Sequence, residues 1–163
     1  MAKKEEKTNV MRVLEQKKIP YHSYTYPHEE GVAVDGISVA ELIGKPVNSV
    51  YKTLVTRSAS KENYVFVIPV EDNLDLKKAA KAVGEKSIEM IHVSEIQKLT
   101  GYIRGGCSPV GMKKQFTTVF QADAEELEQI IVSAGKIGFQ VELAPKDLIG
   151  LVRGQCADVT IQE

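Results

Sequence analysis

The chain has no tryptophan and only two cysteines, Cys107 and Cys156. A disulfide framework is excluded, since two thiols make at most one bridge, and in a reducing compartment both are expected to stay free. Histidine is nearly as scarce: the three residues lie in separate segments, and "HEEGV" at His28 lacks the second histidine of a zinc-binding helix. No metal site is expected from that set. No apolar run reaches the roughly 20 residues of a membrane span. The charged opening "MAKKEEKTNV" lacks the apolar segment of a secretory signal, so a soluble, cytoplasmic protein without a membrane partner is expected. Excess charge is missing too: 21 Lys and Arg against 22 Asp and Glu leave a formal net charge of −1. That balance excludes avid, nonspecific nucleic-acid binding and requires any nucleic acid to be held locally.

What is present reads as one globular domain spanning residues 1–163, with 43% hydrophobic and 26% charged residues. Val10, Met11, Val13 and Leu14 suit one side of a helix over 9–18 that Pro20 stops. "YHSYTY" then reads as a strand. Ser38 with Glu41 predicts a capping box opening a helix at "SVAELIG". "YKTLVTRS" and "NYVFVIPV" form a hairpin, and "NLDLKKAAKAVG" an amphipathic helix. Ser94 with Gln97 predicts a capped helix ended by Gly101. "TTVFQ", "QIIVSAG" and "FQVELA" are strands, "ADAEELE" a short helix, "PKDLIGLV" a helix and "CADVTI" a closing strand. Several links between strands are too short for a parallel crossover. The fold class expected is α+β, with a mixed, largely antiparallel sheet flanked by helices.

The chemistry concentrates in "TGYIRGGCSPVGMKK", residues 100–114. It lacks the Gly-Lys-Ser/Thr ending of a nucleotide phosphate loop. Its glycines serve either a turn or a cradle in which Gly105 and Gly106 bring free N–H groups to an oxyanion, a carbonyl or a phosphate, with Pro109 stiffening the far side. Cys107 would act as a nucleophile only beside a base or cation. In strand "YKTLV" alternation puts the Lys52 amine on the face of Leu54, either inside a partly apolar cavity or as an edge-strand charge. Tyr26 offers a hydroxyl to that cavity or simply packs. Lys77, Lys78, Lys81, Lys113, Lys114 and Lys136 make basic spots that suit phosphate or a solvated face.

Five ordered segments, "YKTLV", "LDLKKAAKAVGEKSIEM", "TGYIRGGCSPVGMKK", "VSAGKIG" and "VELAPKDL", resemble the YbaK/EbsC family of bacterial Cys-tRNA(Pro) deacylases over nearly the whole chain. The resemblance implies a barrel-like β core flanked by helices, and hydrolysis in trans of tRNA(Pro) mischarged with cysteine. It also implies prolyl-tRNA synthetase as a partner, no cofactor, and the substrate's own thiol as nucleophile. Lys52, Gly105 and Gly106 then correspond to the catalytic positions. Tyr26, Ser108, Pro109, Ser133 and Gly135 correspond to substrate-binding positions, and the six lysines become RNA contacts. Ala134 and Ile137 depart from the family's "SGGKRG" turn, where a glycine and an arginine are usual, so one basic contact is expected to be absent. Position 107 is aliphatic in most relatives, which speaks against a nucleophilic Cys107. Two alternatives stay open: a non-catalytic regulatory or RNA-binding module, and a deacylase for another small amino acid such as alanine on tRNA(Pro).

Overall fold

The computed structural model describes residues 7–161. Five helices are interleaved with eight strands: α1 (Asn9–Gln16), β1 (His22–Thr25), α2 (Gly36–Ile43), β2 (Tyr51–Ser58), β3 (Asn63–Pro69), α3 (Leu76–Val83), β4 (Ile88–Met90), α4 (Val93–Thr100), β5 (Thr117–Gln121), β6 (Ile130–Ser133), β7 (Phe139–Leu143), α5 (Pro145–Leu151) and β8 (Gln155–Ala157). Single 3₁₀ turns occupy Val47–Ser49 and Ala122–Glu126. The acidic "ADAEELE" stretch is therefore tighter than the α-helix its composition suggests.

The strands make two sheets, ordered β1-β7-β6 and β4-β2-β3-β5-β8. Pairing is antiparallel for β1/β7, β6/β7, β2/β3 and β2/β4, and parallel for β3/β5 and β5/β8. The mixed, largely antiparallel expectation is met, while the barrel-like one stops short: the two sheets do not close. They meet at one bridge between Val50 and Ile131. The main core lies between them. Val55, Val65 and Val67 of the larger sheet face Val132, Val141 and Leu143 of the smaller one, and Val10 and Leu14 of α1 seal the space. Alternation sends Phe66, Ile68 and Val119 to the opposite face of the larger sheet, where Ala79 and Ala80 of α3 cover them. A third cluster of Ala40, Val50, Val70 and Ile131 seats α2 at the junction of the sheets.

Two helix starts differ from the capping expected from sequence. α2 begins a turn earlier: Asp35 is its N-cap, and Ser38 donates to the Asp35 carboxylate through both its amide (3.0 Å) and its hydroxyl (2.7 Å). An Asp three residues upstream outcompetes the serine because its two oxygens accept both donors. α4 is entered at His92, whose N–H donates to Glu95 Oε2 (3.3 Å), so Glu95 and not Gln97 closes the box.

One edge of the larger sheet is left unzipped. The Val70 amide donates to the Val50 carbonyl (2.9 Å), and this register turns the main-chain groups of Tyr51 and Thr53 away from β3. β4 covers the outer edge of β2 only at residues 56–58, and β6 touches it only at Val50. Between those points the outer edge of β2 meets no strand among the described residues.

Candidate functional site

A cavity of about 610 Å³ opens against that unpaired edge. Val50 and the first residues of β2, Tyr51 to Leu54, form its back wall, and Asp35, Gly36 and Ile37 of the α2 start form one side. Arg104, Gly105 and Cys107 of the glycine-rich loop form the opposite side, while Tyr26, Ser133 and Gln140 come from the smaller sheet and its margin. The fold therefore brings Lys52, Tyr26, Gly105 and Ser133 to one hollow. Gly106, Ser108, Pro109 and Gly135 stay outside its walls and support them.

Lys52 is half-buried and makes no hydrogen bond or ion pair among the described residues. Burial pushes its ammonium pKa below the ordinary lysine value, with the charge of Asp72 partly opposing the shift. The hydroxyls of Tyr26, Tyr51 and Thr53 are buried without a hydrogen-bond partner. All three residues contribute to the walls of this cavity, with the hydroxyls themselves sealed behind its surface. Burial holds the Tyr51 phenol far above its usual range. Gln140, on β7, is only 5% exposed. It stands opposite Ser133 in the β6/β7 register and opposite Tyr24 in the β1/β7 register.

The loop's backbone is fixed by close packing. Gly105 has φ +88°, and a Cβ there would lie 2.7 Å from the Ala33 Cβ, so both conformation and space demand glycine. Gly106 packs on the turn after β6, where a Cβ would come within 3.1 Å of the Ile137 nitrogen. The expectation that both glycines offer free amides holds for Gly105 alone. The Gly106 N–H donates to the Ile103 carbonyl (3.0 Å). Among the described residues the amides of Gly105 and Cys107 meet no acceptor, and both residues line the cavity. Ser108 is fully buried, and its Oγ accepts from the Val110 amide (3.3 Å), a turn-stabilising task away from the hollow. Ser133 Oγ likewise accepts from the Gly135 amide (3.2 Å).

Cys107 has no activated thiol. Burial pushes its pKa up to about 11 against a lowering hydrogen bond with Thr100, so the sulfur is a neutral wall atom near pH 7. Burial, reinforced by Glu125, pushes Cys156 up to about 12. Among the described residues no group of three or more His, Cys, Asp or Glu side chains is arranged to hold a metal ion.

The six lysines do not form one patch. Lys78 donates to Asp158 (2.9 Å) and to the Thr160 carbonyl (2.9 Å), which ties its charge into the fold. Lys77 and Lys81 are exposed on α3, which covers one face of the larger sheet. Lys113 and Lys114 lie between Met112 and Phe116, which pack with the core on the other face. Lys114 lies 5.9 Å from the Phe116 ring and Lys136 5.4 Å from the Phe139 ring. Ile137, where the family resemblance leads one to expect an arginine, is 3% exposed and props Gly105 from beneath. That departure exchanges a charge for an apolar support.

Sequence reasoning missed Gln140, Asp35, Thr53 and Tyr102. The signal for Gln140 lay in "FQVEL", where alternation puts Gln140 and Glu142 on one polar face of a strand whose other face is core. Tyr102 carried none. Its hydroxyl donates to the Val110 carbonyl (2.6 Å), while its ring lies where a Cβ on Gly135 would sit (2.9 Å), clamping the loop to the turn after β6.

A family model described as the aminoacyl-tRNA editing domain matches residues 33–151. A protein of Enterococcus faecalis named "Putative Cys-tRNA(Pro)/Cys-tRNA(Cys) deacylase EbsC" is 48% identical, with 100% of each chain covered. An uncharacterised protein of Bacillus subtilis, YwhH, is 25% identical over 67% of this chain and 69% of its own. A crystal structure described as a "putative trans-editing enzyme for prolyl tRNA synthetase" superimposes with a TM-score of 0.80 at 24% identity, covering 94% of this chain and 95% of that one. That last likeness concerns the fold.

Proposed function

Because this chain belongs to the aminoacyl-tRNA editing domain family, we propose that it is a trans-editing hydrolase that removes cysteine from mischarged tRNA(Pro). The need for such an enzyme is physical. Cysteine is close enough to proline in size that an apolar synthesis pocket rejects it weakly, so a second site with other criteria must correct the error.

The observation that carries the reading is the pairing, across one cavity, of a half-buried ammonium with loop amides that have no acceptor. An aminoacyl ester is already activated. Its cleavage needs a held carbonyl and a positioned nucleophile, and orientation plus backbone donors supply both. The substrate's thiolate attacks its own ester carbonyl carbon. An S–C bond forms, the bond to the ribose oxygen breaks, and that oxygen takes a proton as the cysteine leaves as a cyclic thiolactone. The amides of Gly105 and Cys107 receive the carbonyl oxygen as it gains charge, replacing the pair of Gly105 and Gly106 expected from sequence. Lys52 anchors the ribose or acyl end. The neutral thiol of Cys107 supports this division of labour, because a thiolate in the wall would compete for the same ester.

Deacylation of cysteinyl-, alanyl- and seryl-tRNA(Pro) by the purified protein tests the reading. The cysteinyl ester is expected to be cleaved and the seryl ester spared. Equal rates on both would refute the thiol-assisted step, preference for alanine would reassign the substrate, and no cleavage of any ester would leave a binding module. With so little basic surface, tRNA identity is supplied by a complex with prolyl-tRNA synthetase in the cytoplasm. Adding the synthetase should raise kcat/KM on charged tRNA(Pro).

A further inference from the structure

The cavity is rich in donors. Lys52 and Arg104 can only donate, and the free loop amides can only donate. An aminoacyl ester brings a carbonyl that suits those donors and an α-amino group that does not. Something in the wall must accept from it.

The open acceptors are few, because the hydroxyls of Tyr26, Tyr51 and Thr53, which could accept, are sealed behind the wall. Asp35 already takes two hydrogen bonds from Ser38 and sits at the exposed start of α2. Ser133 Oγ is occupied by the Gly135 amide. Gln140 is different. It is 95% buried by its 5% exposure, it lines the cavity, and its carboxamide makes no hydrogen bond with any described residue. Its Oε1 and Nε2 are not among the buried side-chain atoms sealed without a partner, so the carboxamide keeps access to the cavity that the residue lines, where a ligand can complete it. It is the sole side-chain carbonyl on this wall that is not ionised. Neutrality matters, because a carboxylate so deep in the hollow would repel the thiolate the reaction requires.

Resting on the deacylase reading, we infer that Gln140 accepts from the substrate's α-amino group through its Oε1 and thereby selects α-aminoacyl ends. It is a specificity residue that turns the acyl end so that its thiol faces the carbonyl held by the loop.

The test uses binding, so that it does not depend on turnover. Two amide-linked, non-hydrolysable adenosine conjugates, cysteinyl and 3-mercaptopropionyl, share thiol and carbonyl and differ only in the amine. Titration calorimetry of the intact protein should find the cysteinyl conjugate bound roughly ten- to a hundredfold tighter, in line with one hydrogen bond to a charged group. Gln140→Leu should erase the difference while leaving the affinity for the 3-mercaptopropionyl conjugate within about twofold of the parent's. If that variant melts early, Gln140→Asn, which keeps the amide but draws it back by one methylene, should lose most of the preference. No preference in the parent protein would overturn the inference. So would a well-folded variant that keeps the preference, or one that weakens both conjugates equally. Preference in binding without hydrolysis of cysteinyl-tRNA(Pro) would support the inference and sink the deacylase reading instead.

Discussion

At the scale of single residues the proposed site sets activity against stability. The folded protein holds Lys52 with a lowered pKa, so its ammonium is less welcome in the native state than in the unfolded chain. The resulting penalty is present at every pH below the native pKa, and it fades as pH rises from there to the ordinary value of 10.5. Lys52→Met is therefore expected to abolish deacylation while raising the melting temperature at pH 7, with the gain shrinking towards pH 10.5. Thermal melts across pH beside single-turnover assays would check both halves. Gly105→Ala makes the opposite prediction. A Cβ at φ +88° and 2.7 Å from Ala33 should cost about 1–3 kcal/mol in denaturant titrations and displace the loop amides. Lys52 and Gly105 were legible as candidates in the sequence because strand alternation and glycine permissiveness are local properties. Which amide of the loop is free was not legible, since it depends on whether Ile103 lies within reach of Gly106. Gln140 hid inside a strand that reads equally well as core.

At the scale of elements, α2 carries one side wall and depends on its cap. The hydrogen bonds from Ser38 hold the Asp35 carboxyl below the usual carboxylate range. Its stabilising share is present above the unfolded carboxyl pKa and is lost as pH falls through the native one. Asp35→Ala should lower the melting temperature at neutral pH and raise KM, with the stability difference from the parent vanishing on acidification. The turn after β6 makes a second case. Ile137→Arg would install the residue that the family resemblance leads one to expect, yet here it buries a cation beneath Gly105. Denaturation should report a loss of stability and deacylation a loss of rate. Element types were readable where periodicity was long, as in α3 and in the β2–β3 hairpin. The three-residue β4 and the exact start of α2 were not, because one is recruited by its partner strand and the other is decided by competition between two cap residues.

For the whole molecule, electrostatics follows from where the sheets put each lysine. With Lys78 engaged by Asp158, Lys77 and Lys81 on one face of the larger sheet, Lys113 and Lys114 towards the other, and Lys136 in the β6–β7 turn of the smaller sheet, few phosphates can be gripped together. Arg104 lies in the cavity wall, and the Lys136 backbone lies under Gly106. Neutralising both to Gln should raise KM for charged tRNA and flatten its dependence on log salt by about 0.7–0.9 per lost phosphate contact. Lys77→Gln with Lys81→Gln should change neither. Composition announced the shortage of positive charge, but only the sheet order reveals that the remainder is split.

The uncovered stretch of β2 leaves hydrogen-bonding backbone where a stray strand would readily add itself, and what prevents this is the bulk of α2 and the glycine-rich loop standing in front. The recess proposed to admit an acyl chain would thus also be a shield against self-association. Variants that slacken the loop should become sticky before they unfold, and light scattering below the melting transition would show it.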